Sequence, residues 1–484
     1  MHISKVIALT SILTATQIAH AAATDHASRP CNSTAFPLPC YVEKLNRTPL
    51  QYSLEKTEKL DTVEHRRYRM VSQEWSPKGL VAPKQWVHDV NIAIPEKPRT
   101  ERALLFISGG SNNTETGEPV ISDDLPPASL AEIARNTNTI AVSVNFIPNQ
   151  ALEFEPDKIP AVEDHAIARS WNLFLNNPQE MQLMPLQFPM AAAASRAISL
   201  SEQELAHWNI HKFVVSGMSK RGWTTWLTAL VDKRVEAIAP FVIDVPNLIQ
   251  GLKHIYRSYG DNWPIALGPY LEQNIDNRIT SPNFRKLAKL IDPFEYLDTQ
   301  YRSRLTIPKY VVNASGDDFF VPDGTHNYFD AMPGEKSLRI APNSSHEGIK
   351  GFAVQTLTPF LNRLQANKPL PKIEATPHEQ ALHISFSEKP EKVRRWTAVN
   401  PDSRDFRYAC GIRYEEAPLD AAMSTSVKLH TPEKGWEATY VEATFADGFV
   451  ASTQVYITPT GYPSVAPPVH EEACTTLPGR GLGE

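Results

Sequence analysis

Apolar and polar residues follow different rhythms along this chain. Glu64–Trp75 and Gln85–Pro95 alternate, as half-buried strands do. Arg102–Gly110 is a denser apolar run ending in two glycines, the pattern of a strand covered on both faces. Pro126–Thr139 has helical spacing, and Ile140–Phe146 reads as another buried strand. Two helical stretches are expected between residues 165 and 205, the second around Pro185–Ile198. Lys212–Gly217, Gly222–Asp232 and Val235–Asp244 then read as strand, helix and strand. Residues 247–300 read as helical, without strand signal. Pro308–Ser315 and Ser337–Asn343 are strands flanking a helical Gly324–Met332.

Strands alternating with helices imply parallel βαβ units and a doubly wound, mostly parallel α/β sheet. The insertion at 247–300 is too long for a tight loop and is expected to form a helical cap beside the sheet. After the proline-rich segment Asn367–Pro377 the rhythm changes. Gln380–Glu388, Val393–Asn400, Gly435–Ala446 and Ala451–Pro459 are strands separated by turn residues, with no helical periodicity. This predicts a separate all-β sandwich of the immunoglobulin or fibronectin kind over 369–484, following the α/β unit over 24–368. Residues 24–50, rich in proline and threonine, are expected to be irregular.

Composition narrows the functional classes. Hydrophobic residues make up 42% and charged residues 21%, a globular balance, and the formal charge of −6 argues against a nucleic-acid partner. Lys5, a short apolar stretch over Val6–Leu13 and small residues around Ala21–Ala23 have the layout of a secretory signal over residues 1–23. That stretch is too short to span a bilayer, so no membrane-spanning segment is expected and the destination is periplasmic or secreted. Cys31, Cys40, Cys410 and Cys474 form an even set in an exported chain, which favours two disulfides. Three pairings are open, and proximity favours Cys31–Cys40 with Cys410–Cys474. No metal-ligand spacing and no cofactor motif stand out, so neither a metal nor a cofactor is expected.

The chemistry concentrates in Val214–Trp226, "VVSGMSKRGWTTW". A serine between a buried strand and a helix, with glycine two residues before it, fits the nucleophile elbow of an α/β-hydrolase. Such a hydroxyl needs a base within reach, an acid to orient that base, and donors for the developing oxyanion. The usual elbow has glycine two residues after the serine. Here Arg221 stands there and Gly222 follows, giving G-x-S-x-x-G. Taken alone, Ser219 would serve equally well as a helix N-cap. The later residues tip the balance, because Asp317 and His346 follow two consecutive late strands in the order expected of this fold. Parallel strands put those ends on one edge, where the serine also emerges. Asp318, next to Asp317, and Asp244, ending an earlier strand, are the other candidates for the acid. The amide of Lys220 and one near Gly110 are expected to stabilise the oxyanion. Trp223 and Trp226 are read as core residues of the elbow helix.

The stretches "GMSKRGWTTWLTALVDKRVEAIAPFVIDV", "LLFISGGSNN", "GDDFFVPD" and "RRWTAVNPDSRDFR" resemble the PhoPQ-activated pathogenicity-related protein family, over most of the chain beyond about residue 40. The resemblance implies an exported bacterial α/β-hydrolase-like protein associated with virulence regulation and envelope stress. It also implies Asp317, directly after Gly316, as the acid. Cys31 and Cys40 lie outside the resembling part and gain no support from it.

Lys220 and Arg221 raise a question of specificity. G-x-S-[KR]-x-G resembles, at the elbow alone, esterases acting on uronate esters, and Arg221 is a candidate to grip a substrate carboxylate. Arg221 is alternatively the partner of an internal acid that stiffens the turn. The expectation is thus a serine hydrolase acting on a small ester or peptide through Ser219, His346 and Asp317. The other class is a catalytically silent hydrolase fold whose β-sandwich binds a surface partner or glycan.

Overall fold

The structure is a computed structural model that describes residues 35–469 and 471–483. The expected secretory signal and Cys31 lie outside the described residues.

Nine strands build the central sheet: β1 (Gln51–Leu60), β2 (Val63–Glu74), β3 (Gln85–Ile94), β4 (Arg102–Ile107), β5 (Ile140–Val144), β6 (Lys212–Met218), β7 (Val235–Phe241), β8 (Lys309–Ala314) and β9 (Lys336–Ala341). They lie in the order β1-β2-β3-β5-β4-β6-β7-β8-β9. The first three strands and the β3–β5 pair are antiparallel. From β5 through β4, β6, β7 and β8 to β9 every pair is parallel. This is the α/β-hydrolase sheet expected from the sequence, with β1 added at its antiparallel edge. That strand was not expected, because its residues lie mostly in solvent and carry no apolar alternation.

Two helical layers explain why the parallel strands read as continuous apolar runs. Helices α3 (Glu163–Asn176), α4 (Gln187–Glu204) and α5 (Lys220–Val231) bury one face with Trp171, Phe188 and Trp226. On the other face α2 (Pro127–Thr137) and α9 (Ala353–Gln365) contribute Leu130, Leu357 and Phe360. Burying each such aliphatic or aromatic side chain contributes about 1.5–3 kcal/mol.

Residues 37–46 correct the expectation of an irregular N-terminal segment, since Pro37–Asn46 is helix α1. Pro37 presets the first turn, and Leu38 and Val42 are buried where α1 packs on α4. Gly324–Met332, expected to be helical, forms only a single 3-10 turn over Gly324–Asn327. Tyr328 turns inward there to donate to Asp244 Oδ1 at 2.6 Å.

Between β7 and β8 lie α6 (Leu248–Ser258), α7 (Gly268–Glu272) and α8 (Pro282–Ile291), the expected helical cap. It also holds a short strand, Asn262–Pro264, which the cap's own sequence did not signal. Its partner, Thr476–Pro478, comes from the far end of the chain.

The C-terminal strands are β10 (Ile373–His378), β11 (Ala381–Phe386), β12 (Lys392–Asn400), β13 (Glu415–Leu419), β14 (Ser424–Lys428), β15 (Trp436–Thr444), β16 (Val450–Ser452) and β17 (Tyr456–Thr458). They form two antiparallel sheets, β10-β11-β14 and β13-β12-β15-β16, with β17 also on β15. Their apolar interior runs on into that of the hydrolase sheet. Phe449 stacks on Tyr310 of β8 with ring centres 4.4 Å apart. Ser452 Oγ accepts from Ile340 N of β9 at 3.0 Å. Arg363 of α9, 1% exposed, donates to Glu388 and Asp447. The Cys410–Cys474 disulfide expected from proximity is present. Cys40 is not free either, while its expected partner lies outside the described residues.

Candidate active site

Ser219 ends β6 and opens α5 with φ 55° and ψ −127°, a conformation that a side-chain-bearing residue adopts only under constraint. The constraint comes from close packing on either side. A Cβ on Gly217 would lie 2.7 Å from Arg221 O, and one on Gly222 would lie 2.7 Å from Ile243 Cγ2 and 2.9 Å from Phe241 O. Glycine therefore stands at 222 because that position faces the neighbouring strand. Arg221 fits at the place usually held by glycine because Gly109 opposite it has no side chain. A Cβ there would meet Arg221 Nη2 at 2.6 Å. The turn is fastened by Ser219 N donating to Phe241 O at 2.9 Å.

The loops after β8 and β9 are tied together. Ser315 N donates to Ala341 O, Gly316 N to Ser344 O, and Asn343 N to Ser315 Oγ. This brings Asp317 to His346, with Nδ1 2.9 Å from Oδ2 and 3.0 Å from Oδ1. Asp317 is itself held by the amides of Phe319 and Phe320. Asp318 instead accepts from the backbone N of His346 at 3.3 Å. Asp244 accepts from Asn313 and Tyr328, and burial pushes its carboxyl up to about 6. Of the three candidate acids, only Asp317 meets the imidazole.

His346 Nε2 is buried and has no hydrogen-bond partner among the described residues. His346 and Ser219 line one polar pocket with Gly109, Gly110, Lys220 and Arg221. Ser219 and His346 thus border the same space. The Phe319 ring lies 4.5 Å from the imidazole. Burial opposes the imidazolium, but the Asp317 carboxylate outweighs it and holds the His346 pKa above its ordinary value. A base must be neutral to accept a proton. Hydrolysis is therefore expected to fall away on acidification through a pKa above 6.5, the ordinary value, and to recover as pH rises. A pH profile of kcat/KM whose acid limb lies below that value would contradict this.

Lys220 and Arg221 are buried, and their charges are taken up internally. Arg221 Nη1 donates to Glu163 Oε2 at 2.7 Å, Nη2 pairs with Oε1, and Nε donates to Ile147 O. Lys220 Nζ lies 2.8 Å from Glu163 and 3.1 Å from Asp164. The guanidinium expected to grip a substrate carboxylate is thus already occupied, and the internal-acid alternative describes its position. Arg221 and Lys220 together hold the Glu163 carboxyl well below the usual range, against the opposing effect of burial.

Gly110, the expected oxyanion donor, lines the pocket and has φ +95°. The neighbouring amide of Gly109 donates to Asp124 Oδ2 at 3.2 Å. Lys350 reaches over from the far side to Asp123 at 2.6 Å. Glu163, Asp164, Asp124 and Lys350 were not singled out from sequence. A buried Lys-Arg pair signals that counter-charges must exist, but not where along the chain they lie.

A second cavity, of about 70 Å³, opens from Ser219 under the cap. Trp171, Trp223, Ile243, Leu252, Trp263 and Phe320 are among its walls. Trp226 is fully buried in the core as expected, whereas Trp223 both packs there and faces this cavity.

Strand order, elbow and the acid and base loops define a protein of the α/β-hydrolase fold. The profile of the PhoPQ-activated pathogenicity-related protein family matches residues 38–407. The chain belongs to that family. It is 30% identical over 445 residues to autocrine proliferation repressor protein A of Dictyostelium discoideum, covering 84% of this chain and 86% of that protein. Among solved structures it is similar to acetyl xylan esterase 1 from a Thermoanaerobacterium species, at 13% identity and TM-score 0.43, covering 67% of this chain and 91% of that one. It is also similar to an acetyl xylan esterase from a Paenibacillus species, at 15% identity and TM-score 0.42, covering 67% and 93%. A third is the acylaminoacyl peptidase of Pyrococcus horikoshii, at 13% identity and TM-score 0.40, covering 64% and 42%.

Proposed function

We propose that the protein is an exported serine hydrolase that cleaves an ester, thioester or amide through an acyl-enzyme. Ser219 attacks the acyl carbon, and His346 takes its proton and returns it to the leaving atom. Asp317 holds the imidazole in the tautomer that leaves Nε2 free to accept. The amides of Lys220 and Gly110 receive the oxyanion. The observation that carries this reading is the convergence of a strained serine turn and a carboxylate-bound imidazole on one pocket, from the ends of three strands. The Cys410–Cys474 disulfide supports an oxidising compartment, periplasmic or extracellular. The association with virulence and envelope stress rests on family membership. We divide the chain into a hydrolase unit over 24–368, capped by 247–300, and a β-sandwich over 369–484.

The test is reaction with a fluorophosphonate probe. The wild-type protein is expected to label at one serine, and Ser219→Ala to stay unlabelled. A folded wild-type protein that does not label would instead favour the silent fold with a binding role.

A further inference from the structure

The two spaces that meet at Ser219 differ in chemistry. The cavity under the cap is walled by indoles, phenyl rings and aliphatic side chains from α3, α5, α6, α7 and the segment after β8. Its carboxylates are paired, while the indole N–H of Trp263 has no hydrogen-bond partner among the described residues. Tyr270 Oη donates to Asp164 at 3.0 Å, Lys220 pairs with the same carboxylate, and Asp276 is held by Arg480 at 2.6 Å. The other space carries Asp123, Asp124, Glu163, Asp164 and Glu347 against Lys220, Arg221 and Lys350. Each of those three cations is paired with one of those carboxylates. Negative charge is therefore in excess, and an anion entering this pocket finds no cation free to receive it.

His346 lines the charged pocket and not the apolar one. The proton that His346 takes from Ser219 must go to the leaving atom. The leaving group therefore lies on the His346 side, and the acyl group extends to the opposite side, under the cap. From this we infer that the substrate carries an apolar acyl group, aliphatic or aromatic, seated in the cap cavity, and an uncharged or cationic leaving group in the acidic pocket. This deepens the hydrolase reading and rests on it. It runs opposite to the carboxylate-bearing substrate suggested by the cations of the elbow.

The experiment uses p-nitrophenyl esters from acetate to octanoate with the full chain, beside fluorophosphonate labelling of the same preparation. Each methylene buried is worth about fourfold in kcat/KM, so a rise of that order per carbon is expected over the first several carbons. Leu252→Trp narrows the cavity from α6 and should lower the octanoate-to-acetate ratio by about fifteenfold, roughly the value of two methylenes. Leu271→Asn, from the opposite wall, should lower it as well, and both side chains are only partly buried, so the fold tolerates them. A second arm compares one butyryl group on a quaternary-ammonium alcohol and on a carboxylate-bearing phenol, and the cationic ester is expected to be preferred. Labelling of Ser219 with a flat or falling chain-length series overturns the inference and leaves the hydrolase reading standing. Unchanged ratios in both folded variants, or preference for the anionic ester, also overturn it. Failure to label, with no turnover of any ester, removes the hydrolase reading and this inference with it.

Discussion

Replacing Asp317 with asparagine is expected to lower kcat on any ester the enzyme turns over by about 10⁴. The carboxylate now accepts from Nδ1 with both oxygens, at 2.9 and 3.0 Å. An amide there can present its NH₂ group to Nδ1. The proton then moves to Nε2, which can no longer accept from Ser219. The neighbouring candidates give contrasting expectations. Asp318→Asn removes charge from a group that accepts only a backbone N–H of His346, at 3.3 Å. Its cost is expected to stay within about tenfold, the worth of one ordinary hydrogen bond, because the amide oxygen can still accept. Asp244→Asn keeps an acceptor facing Asn313 and Tyr328 and should change kcat still less. The acid limb supplies an independent check. With Asp317 neutral, the main influence that raises the His346 pKa is gone, and burial together with the Lys220 charge pushes it down against the smaller effect of Glu347. The limb should therefore move to lower pH while the rate collapses. A large loss in Asp318→Asn or Asp244→Asn, with Asp317→Asn near wild type, would reassign the acid.

Arg221→Met is expected to destabilise the protein by about 3 kcal/mol, as removal of one partner from a buried ion pair does. The guanidinium is 7% exposed at the side chain and makes three internal hydrogen bonds. Without it, Glu163 and Asp164 share the single cation of Lys220, and the space beside Gly109 is partly emptied. Equilibrium denaturation measures the loss. Activity on neutral and carboxylate-bearing esters should fall by the same factor, because the guanidinium, although it lines the pocket, is engaged by Glu163 and Ile147 O and shapes the elbow. A KM rise confined to acidic esters, with stability unchanged, would restore the substrate-gripping role. The two outcomes differ in both readouts, so a partial effect on one can be judged against the other.

The sheet was legible because its strands are covered on both faces. Val214, Val215, Ile238, Val311 and Val312 are all at most 1% exposed, and such burial leaves an unbroken apolar run in the sequence. The elbow was legible because its constraints are local: one glycine before the serine, another at the start of the helix. The meeting of the loops that carry Asp317 and His346 was legible from chain order, since parallel strands deliver their ends to one edge. Helix α1 was not legible, because its stability comes from packing on α4, a partner about 150 residues away. The strand inside the cap was hidden for the same reason, as its partner lies at the opposite end of the chain.

Sequence alone therefore determined the hydrolase sheet, the serine turn and the pair of loops that carry Asp317 and His346. These depend on apolar rhythm, strand order and short-range sterics, all of which are written in consecutive residues. Tertiary structure alone decided which of three aspartates meets the imidazole, that Arg221 faces Glu163, and that one side of Ser219 is apolar and the other acidic. Those outcomes depend on distances between side chains far apart along the chain. Charges and rings separated by tens of residues have no relation in the sequence until the backbone closes the gap between them.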